Sequence, residues 1–94
     1  MNLIDAVVEN DSEQVKTLLE EGADPNFCED VACITPLHFA AQKNVSMDIV
    51  EMLIDAGADL SKETEEGLTP LDVAKFHNNE EIAKVLEEKM AAKS

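Results

Sequence analysis

Apolar residues recur along this chain both at helical spacing and with a longer period of about 34 residues. Two series of positions are each separated by 34 residues: Leu3, Leu37 and Leu71, and Ala6, Ala40 and Ala74. A second apolar run follows each of these first runs, at residues 15–19, 49–54 and 82–86. A period of this length with two helices per unit is typical of stacked repeats.

The clearest helix start lies at residues 35–41 (TPLHFAA), and it returns at residues 69–74 (TPLDVA). Thr35 can accept a hydrogen bond from the free N–H groups of a helix start. Pro36 suits the first helical position, because its missing N–H would have no partner there. Three asparagines end the first helices and are expected in the left-handed conformation: Asn10, Asn44 and Asn78.

These motifs resemble the ankyrin repeat, whose signature is Thr-Pro-Leu-His-x-Ala-Ala, a second apolar helix and then Gly-Ala-Asp. The tripeptide Gly-Ala-Asp occurs here at 22–24 and 57–59. The resemblance covers nearly the whole chain and implies an all-α fold, an α-solenoid of stacked helix-turn-helix units with hairpin-like finger loops. It implies one domain over residues 1–94, with a degenerate N-terminal repeat at 1–34, a central repeat at 35–68 and a C-terminal repeat at 69–94.

Two long connections are the expected fingers: residues 25–34, the first finger, and residues 60–68, the second finger. Gly67 stands where the ankyrin turn requires a positive φ. Cys33 occupies the matching place in the first finger, so the sequence leaves the geometry of that turn open. Residues 89–94 follow the last apolar run and are expected to fray.

Charge restricts the possible partners. The chain has 21 acidic residues against seven lysines and no arginine, a net charge of −14. This balance argues against direct binding to nucleic acid or to an anionic membrane, because both require a basic surface. It favours a protein partner with a basic or arginine-containing surface, although the carboxylates would also serve simply to solvate exposed helix faces.

No apolar run approaches the roughly 18 residues that a membrane-spanning helix needs. The N-terminal sequence has neither the basic region nor the long apolar stretch of a secretory signal. We therefore expect a cytoplasmic protein, small enough to enter the nucleus by diffusion and monomeric when alone.

The sequence offers few candidates for chemistry. His38 is a candidate base, but it lies three residues after Thr35, where the ankyrin motif uses histidine to tie the helix start. His77 ends a first helix and is expected to be exposed. No nucleotide-binding loop, serine-nucleophile elbow or His-Glu-x-x-His pattern occurs. We predict no catalytic residue, cofactor or metal site, and hence no enzyme.

Cys28 and Cys33 lie five residues apart in the first finger. They could be free thiols, a disulfide across the finger or half of a metal site. A structural zinc site needs four ligands, and the sequence does not supply the other two. A disulfide would be unusual in a reducing cytosol. These arguments favour free thiols.

The function that remains is recognition of a protein partner. The resemblance implies a groove formed by fingers and first helices, with Val8 and Glu9 at its edge. The predicted partner-binding residues are Val31, Ala32, Ile34, Phe39, Gln42, Lys43, Glu65, Glu66, Leu68, Phe76 and His77. The alternative is an acidic decoy that occupies a basic, nucleic-acid-binding surface of another protein through charge alone.

Overall fold

The computed structural model describes residues 2–28 and 31–93, which form six α-helices and no β-strand. The helices are α1 (Leu3–Val8), α2 (Ser12–Glu20), α3 (Pro36–Lys43), α4 (Met47–Asp55), α5 (Pro70–Phe76) and α6 (Glu80–Lys93). They form three pairs, α1 with α2, α3 with α4 and α5 with α6, and each pair is in contact. The predicted all-α class and helix-turn-helix organisation are confirmed.

The first helix of every pair begins with the same reciprocal arrangement. The side chain before the helix accepts from the N–H three residues later, and that later residue's side chain accepts from the first residue's N–H. The pairs are Asn2 with Asp5, Thr35 with His38, and Thr69 with Asp72. The degenerate first repeat therefore keeps the capping chemistry although it lacks the Thr-Pro pair.

Left-handed residues end the helices where the sequence predicts them. The φ angles of Asn10, Asn44 and Asn78 are 57°, 53° and 59°. Gly22 and Gly57 follow α2 and α4 with φ angles of 96° and 102°. The asparagines turn the chain sharply after each first helix, so the second helix of the pair packs back against the first.

The hydrophobic core lies between the repeats and within each pair. Helix α3 contacts both α1 and α5, and α2 contacts α4. The first helices contribute fully buried alanines to the core: Ala6, Ala40, Ala41 and Ala74. The second helices contribute buried aliphatic side chains: Val15, Ile49, Val50, Leu53, Ile82 and Leu86.

Asparagine side chains connect neighbouring repeats to one another. The Ser46 N–H donates to Asn10 Oδ1 at 3.0 Å, and the Asn79 amide donates to the Ala41 carbonyl oxygen. Ser46 immediately precedes α4, but its side chain makes no capping bond. A backbone N–H before α4 and a backbone carbonyl at the end of α3 thus find partners in neighbouring repeats.

Asn26, in the first finger, spans two repeats with one side chain. Its Oδ1 accepts from the Asp59 N–H at 2.6 Å, and its Nδ2 donates to the Gly57 carbonyl oxygen at 3.3 Å. These bonds fix the start of the first finger against the start of the second.

The last helix is longer than expected. Residues 89–94 were predicted to fray, whereas α6 continues through Lys93, and Ser94 lies outside the described residues. Met90 is partly buried against the hydrophobic core, so this segment has a tertiary contact as well as helical hydrogen bonds. No helix within residues 2–28 and 31–93 has the length and apolar character needed to cross a membrane.

Candidate functional site

The second finger is closed by a tight turn that presents Leu68. The Thr64 N–H donates to the Leu68 carbonyl oxygen at 2.9 Å, and the Gly67 N–H donates to the Thr64 carbonyl oxygen at 2.8 Å. Thr64 Oγ1 also accepts from the N–H groups of Glu66 and Leu68, each at 3.3 Å. Gly67 has a φ of 83°, as the sequence predicts.

In the first finger a cysteine stands at the place that matches Gly67. Cys33 adopts a φ of 53°, in the left-handed region that disfavours residues with a Cβ. It forms a disulfide with Cys28, and the two Cα atoms are 4.7 Å apart. The preference for free thiols is therefore wrong. It was based on the reducing chemistry of the cytosol and took no account of how close the two cysteines lie in the folded finger. Residues 29 and 30 of the predicted finger lie outside the described residues.

The two fingers are joined directly through their backbones. The Glu65 N–H of the second finger donates to the Ala32 carbonyl oxygen of the first finger at 2.9 Å. Ala32 and Glu65, both predicted to contact a partner, therefore hold the fingers side by side. Their bond makes the position of one finger depend on that of the other.

His38 ties α3 to the second finger. Its side chain is 1% exposed. The Thr35 N–H donates to Nδ1 at 3.2 Å, and Nε2–H donates to the Leu68 carbonyl oxygen at 2.8 Å. Burial lowers the pKa of the imidazole from its ordinary value of 6.5, outweighing the backbone hydrogen bonds that raise it. The ring is thus neutral and structural, which agrees with its predicted role at the helix start.

A cleft of about 390 Å³ opens between the second finger and the first helices α3 and α5. Six predicted partner-binding residues line it: Ile34, Gln42, Glu66, Leu68, Phe76 and His77. The structure adds three residues that sequence reasoning missed: His38, Thr64 and Val73. Two of them could have been predicted from helical spacing. His38 precedes Gln42 by four residues and Val73 precedes Phe76 by three, so each shares a helix face with a predicted residue.

The other five predicted residues lie outside this lining. Val31 is 90% exposed. Lys43, the last residue of α3, is also exposed. Ala32 and Glu65 make the bond between the fingers. Phe39 is partly buried and packs against the hydrophobic core. At the edge, Val8 and Glu9 are exposed.

The wall of the cleft near α5 is aromatic and open to solvent. Phe76 is 81% exposed, and its ring meets the His77 imidazole edge to face, with centroids 5.2 Å apart. Leu68, across the cleft, is 40% exposed. Large apolar side chains that remain in water at a concave site mark a surface suited to binding.

Comparison with known proteins decides the family. The family model described as "Ankyrin repeats (3 copies)" matches residues 3–93. This chain belongs to the ankyrin repeat family. The resemblance drawn from its motifs is therefore confirmed, while the division into repeats at 1–34, 35–68 and 69–94 stays a prediction.

Ankyrin repeats of this kind occur in relatives with different names. The chain is 45% identical over 73 residues to the 2-5A-dependent ribonuclease of Mus musculus, covering 78% of this chain and 10% of that protein. It is 37% identical over 92 residues to the potassium channel GORK of Arabidopsis thaliana, covering 98% and 11%. It is 52% identical over 68 residues to the BTB/POZ domain and ankyrin repeat-containing protein NOOT1 of Medicago truncatula, covering 70% and 14%. The chain thus spans about a tenth of the length of the first two relatives.

The buried histidine of this ankyrin domain is fully hydrogen-bonded. Both ring nitrogens of His38 are engaged, so the buried imidazole of the cleft has no free nitrogen to take a proton from a ligand. Within the part of the chain that the structure describes, no three His, Cys, Asp or Glu side chains are grouped so as to hold a metal ion. Ankyrin repeats are a non-catalytic interaction module.

Proposed function

We propose that this domain binds a basic segment of a partner protein in the cleft, with an apolar side chain of that segment packed against Leu68 and Phe76. Ankyrin repeats generally mediate protein–protein interactions. The proposal extends this general role to one surface of this chain and one class of partner.

The observation that carries the proposal is the exposed apolar lining of the cleft. Leu68 and Phe76 are 40% and 81% exposed, and Ile34 and Val73 are partly exposed beside them. Covering such surface removes apolar area from water, which stabilises a complex by about 25 cal/mol per Å² before the entropic losses of association.

Charge supports a basic partner. Glu66 lines the cleft and Glu65 lies beside it in the same turn, on a chain whose net charge is −14. A field of this sign accelerates the approach of a positively charged segment. The chain contains no Trp, Tyr or Arg, the residue types that dominate interface hot spots, so we assign those anchors to the partner.

The test compares cleft variants with matched variants on the second helices. Ile34→Glu and Leu68→Glu place a charge in the cleft and are expected to weaken binding tenfold or more, about 1.4 kcal/mol. Lys16→Glu, Glu51→Lys and Lys84→Glu change exposed residues that do not line the cleft, so binding is expected to change little. Titration of each variant with the purified partner, beside a thermal melt, makes the comparison. If the second-helix variants lose binding and the cleft variants keep it, the proposal is wrong.

Salt separates cleft binding from the decoy alternative. Attraction by charge alone between exposed groups is largely screened at physiological ionic strength, where the Debye length is about 8 Å. Binding that buries Leu68 and Phe76 is expected to keep most of its affinity under those conditions. Loss of nearly all affinity between low and physiological salt would favour the acidic decoy.

We also propose that the chain is cytoplasmic and monomeric when alone, which fractionation and light scattering would test.

A further inference from the structure

We infer that the Cys28–Cys33 disulfide is a redox switch for the first finger, whose reduction shifts Ile34 and loosens the bond between the fingers. Cys33 directly precedes Ile34, which lines the cleft, and directly follows Ala32, whose carbonyl accepts from the Glu65 N–H. The cross-link therefore lies one residue from the cleft wall and one residue from the finger contact. The regulatory part of this inference, control of partner binding, rests on the proposed function.

The two fingers differ in what holds their turns. Gly67 adopts a φ of 83° in the second finger with no Cβ to oppose it. Cys33 adopts a φ of 53° at the matching place, where a Cβ is disfavoured. The disulfide is a covalent constraint that the second finger does not have. In the dithiol form Cys33 still carries the Cβ that disfavours a positive φ, and the covalent constraint is gone, so its backbone relaxes from this conformation.

Reduction is an ordinary thiol–disulfide exchange with a dithiol reductant. One reductant thiolate attacks the sulfur of one cysteine, which breaks the Cys28–Cys33 bond and releases the other cysteine as a thiolate. The second reductant thiolate then displaces the first cysteine from the mixed disulfide. Two electrons and two protons pass to the protein, and the reductant leaves as a disulfide. Both cysteines are partly exposed, so a small reductant reaches them.

The change is local. The disulfide joins residues only five apart, and short loops gain least from cross-linking. The buried side chains that hold the repeats together, including Leu37 and Leu53, form a cluster that includes neither cysteine. Reduction thus remodels one wall of the cleft and leaves the stack of helices folded.

The first experiment needs no partner. NMR spectra of the full chain are recorded with oxidised and with reduced dithiothreitol. We expect reduction to shift the Ile34 methyl signals and to speed hydrogen exchange of the Glu65 amide tenfold or more, with the Leu53 methyl signals unchanged. Equal Glu65 exchange and equal Ile34 signals in the two states would overturn the inference, and so would global unfolding on reduction.

Two variants isolate the cause. Cys28→Ser/Cys33→Ser should resemble the reduced protein in both solutions, and a response to dithiothreitol would show that the disulfide is not responsible. Cys33→Gly supplies the left-handed turn without the cross-link, as Gly67 does in the second finger. It should resemble the oxidised protein in both solutions, and a spectrum like that of the reduced protein would overturn the explanation by turn conformation.

A second experiment tests the regulation. With a purified partner, the oxidised and reduced proteins should differ in affinity at least threefold, while Cys33→Gly should not respond to reductant. Equal affinities of the two wild-type states would overturn control of binding. The NMR experiment tests the structural change independently of binding. A change at Ile34 without an effect on affinity would leave the structural change in place and would count against the cleft as the binding surface.

Discussion

His38 Nε2–H donates to the backbone oxygen of Leu68 at 2.8 Å, a bond that runs from the core of the central repeat to the finger that closes it. The Leu68 oxygen also accepts from the Thr64 N–H at 2.9 Å. A buried ring and a turn of the second finger thus share one acceptor. The place of Leu68 in the cleft is consequently set by a residue that is itself almost wholly buried.

Replacing this ring should weaken the fold through lost hydrogen bonds. His38→Leu keeps much of the side-chain volume but removes the ring's hydrogen bonds with the Thr35 N–H, the Thr35 hydroxyl and the Leu68 oxygen. The buried Thr35 N–H then loses its partner. We expect a loss of about 1–3 kcal/mol in the free energy of unfolding, the range for unpaired buried polar groups. Urea denaturation followed by circular dichroism measures it. His77→Leu, at an exposed position, is the matched control and should change stability much less.

Stability should also depend on pH through His38. Its folded-state pKa lies below the ordinary value of 6.5, so below that value the unfolded chain binds a proton more readily than the folded protein. Its stabilising contribution is therefore fully present above pH 6.5 and is lost as the pH falls from there through the folded pKa. In melts over this pH range, the stability of the wild type should fall as the pH is lowered. The stability of His38→Leu should depend less on pH. Identical slopes for the two proteins would contradict the assignment.

Leu53 tests the core between repeats. It is fully buried in α4, within the cluster that links the helices. Leu53→Ala should lower the free energy of unfolding by about 2–5 kcal/mol. That loss is a large share of the 5–15 kcal/mol typical of whole domains. A loss under about 1 kcal/mol in a urea melt would place Leu53 outside the core, and Glu51→Lys, exposed on the same helix, is the control.

The cysteines allow a prediction by mass. Because Cys28 and Cys33 are paired, the unfolded protein should not react with a maleimide until it has been reduced. After reduction two maleimide groups should add. An unreduced sample that adds two groups at once would show free thiols and would remove the basis of the redox switch.

Local chemistry made much of this fold predictable from the sequence. The capping residue Thr35, the first-turn Pro36 and the left-handed Asn44 each act within a few residues of chain, so their roles follow from residue type. The repeat period of about 34 residues, with two apolar runs in each unit, then predicted that the helices form pairs. The reach of His38 back to Thr35 was also predictable, since it spans only three residues.

Contacts between distant residues were harder to predict. The sequence around Phe39 does not show whether its ring faces the groove or packs against the core. In the structure the ring packs against the core. Thr64 enters the cleft lining because the turn of the second finger brings it there. The disulfide depends on how the first finger bends, which the presence of cysteine rather than glycine at residue 33 left open.

The first helices α1, α3 and α5 carry buried alanines that do not line the cleft but bear on its width. Ala6, Ala40, Ala41 and Ala74 are fully buried, and the spacing between packed helices depends on the size of the side chains at their contact. A larger side chain there would act as a wedge that tilts one repeat against the next, and such tilts set the curvature of a stacked array. The fit of a ligand can therefore be altered at positions that never touch it, by changing the angle at which the two walls face each other.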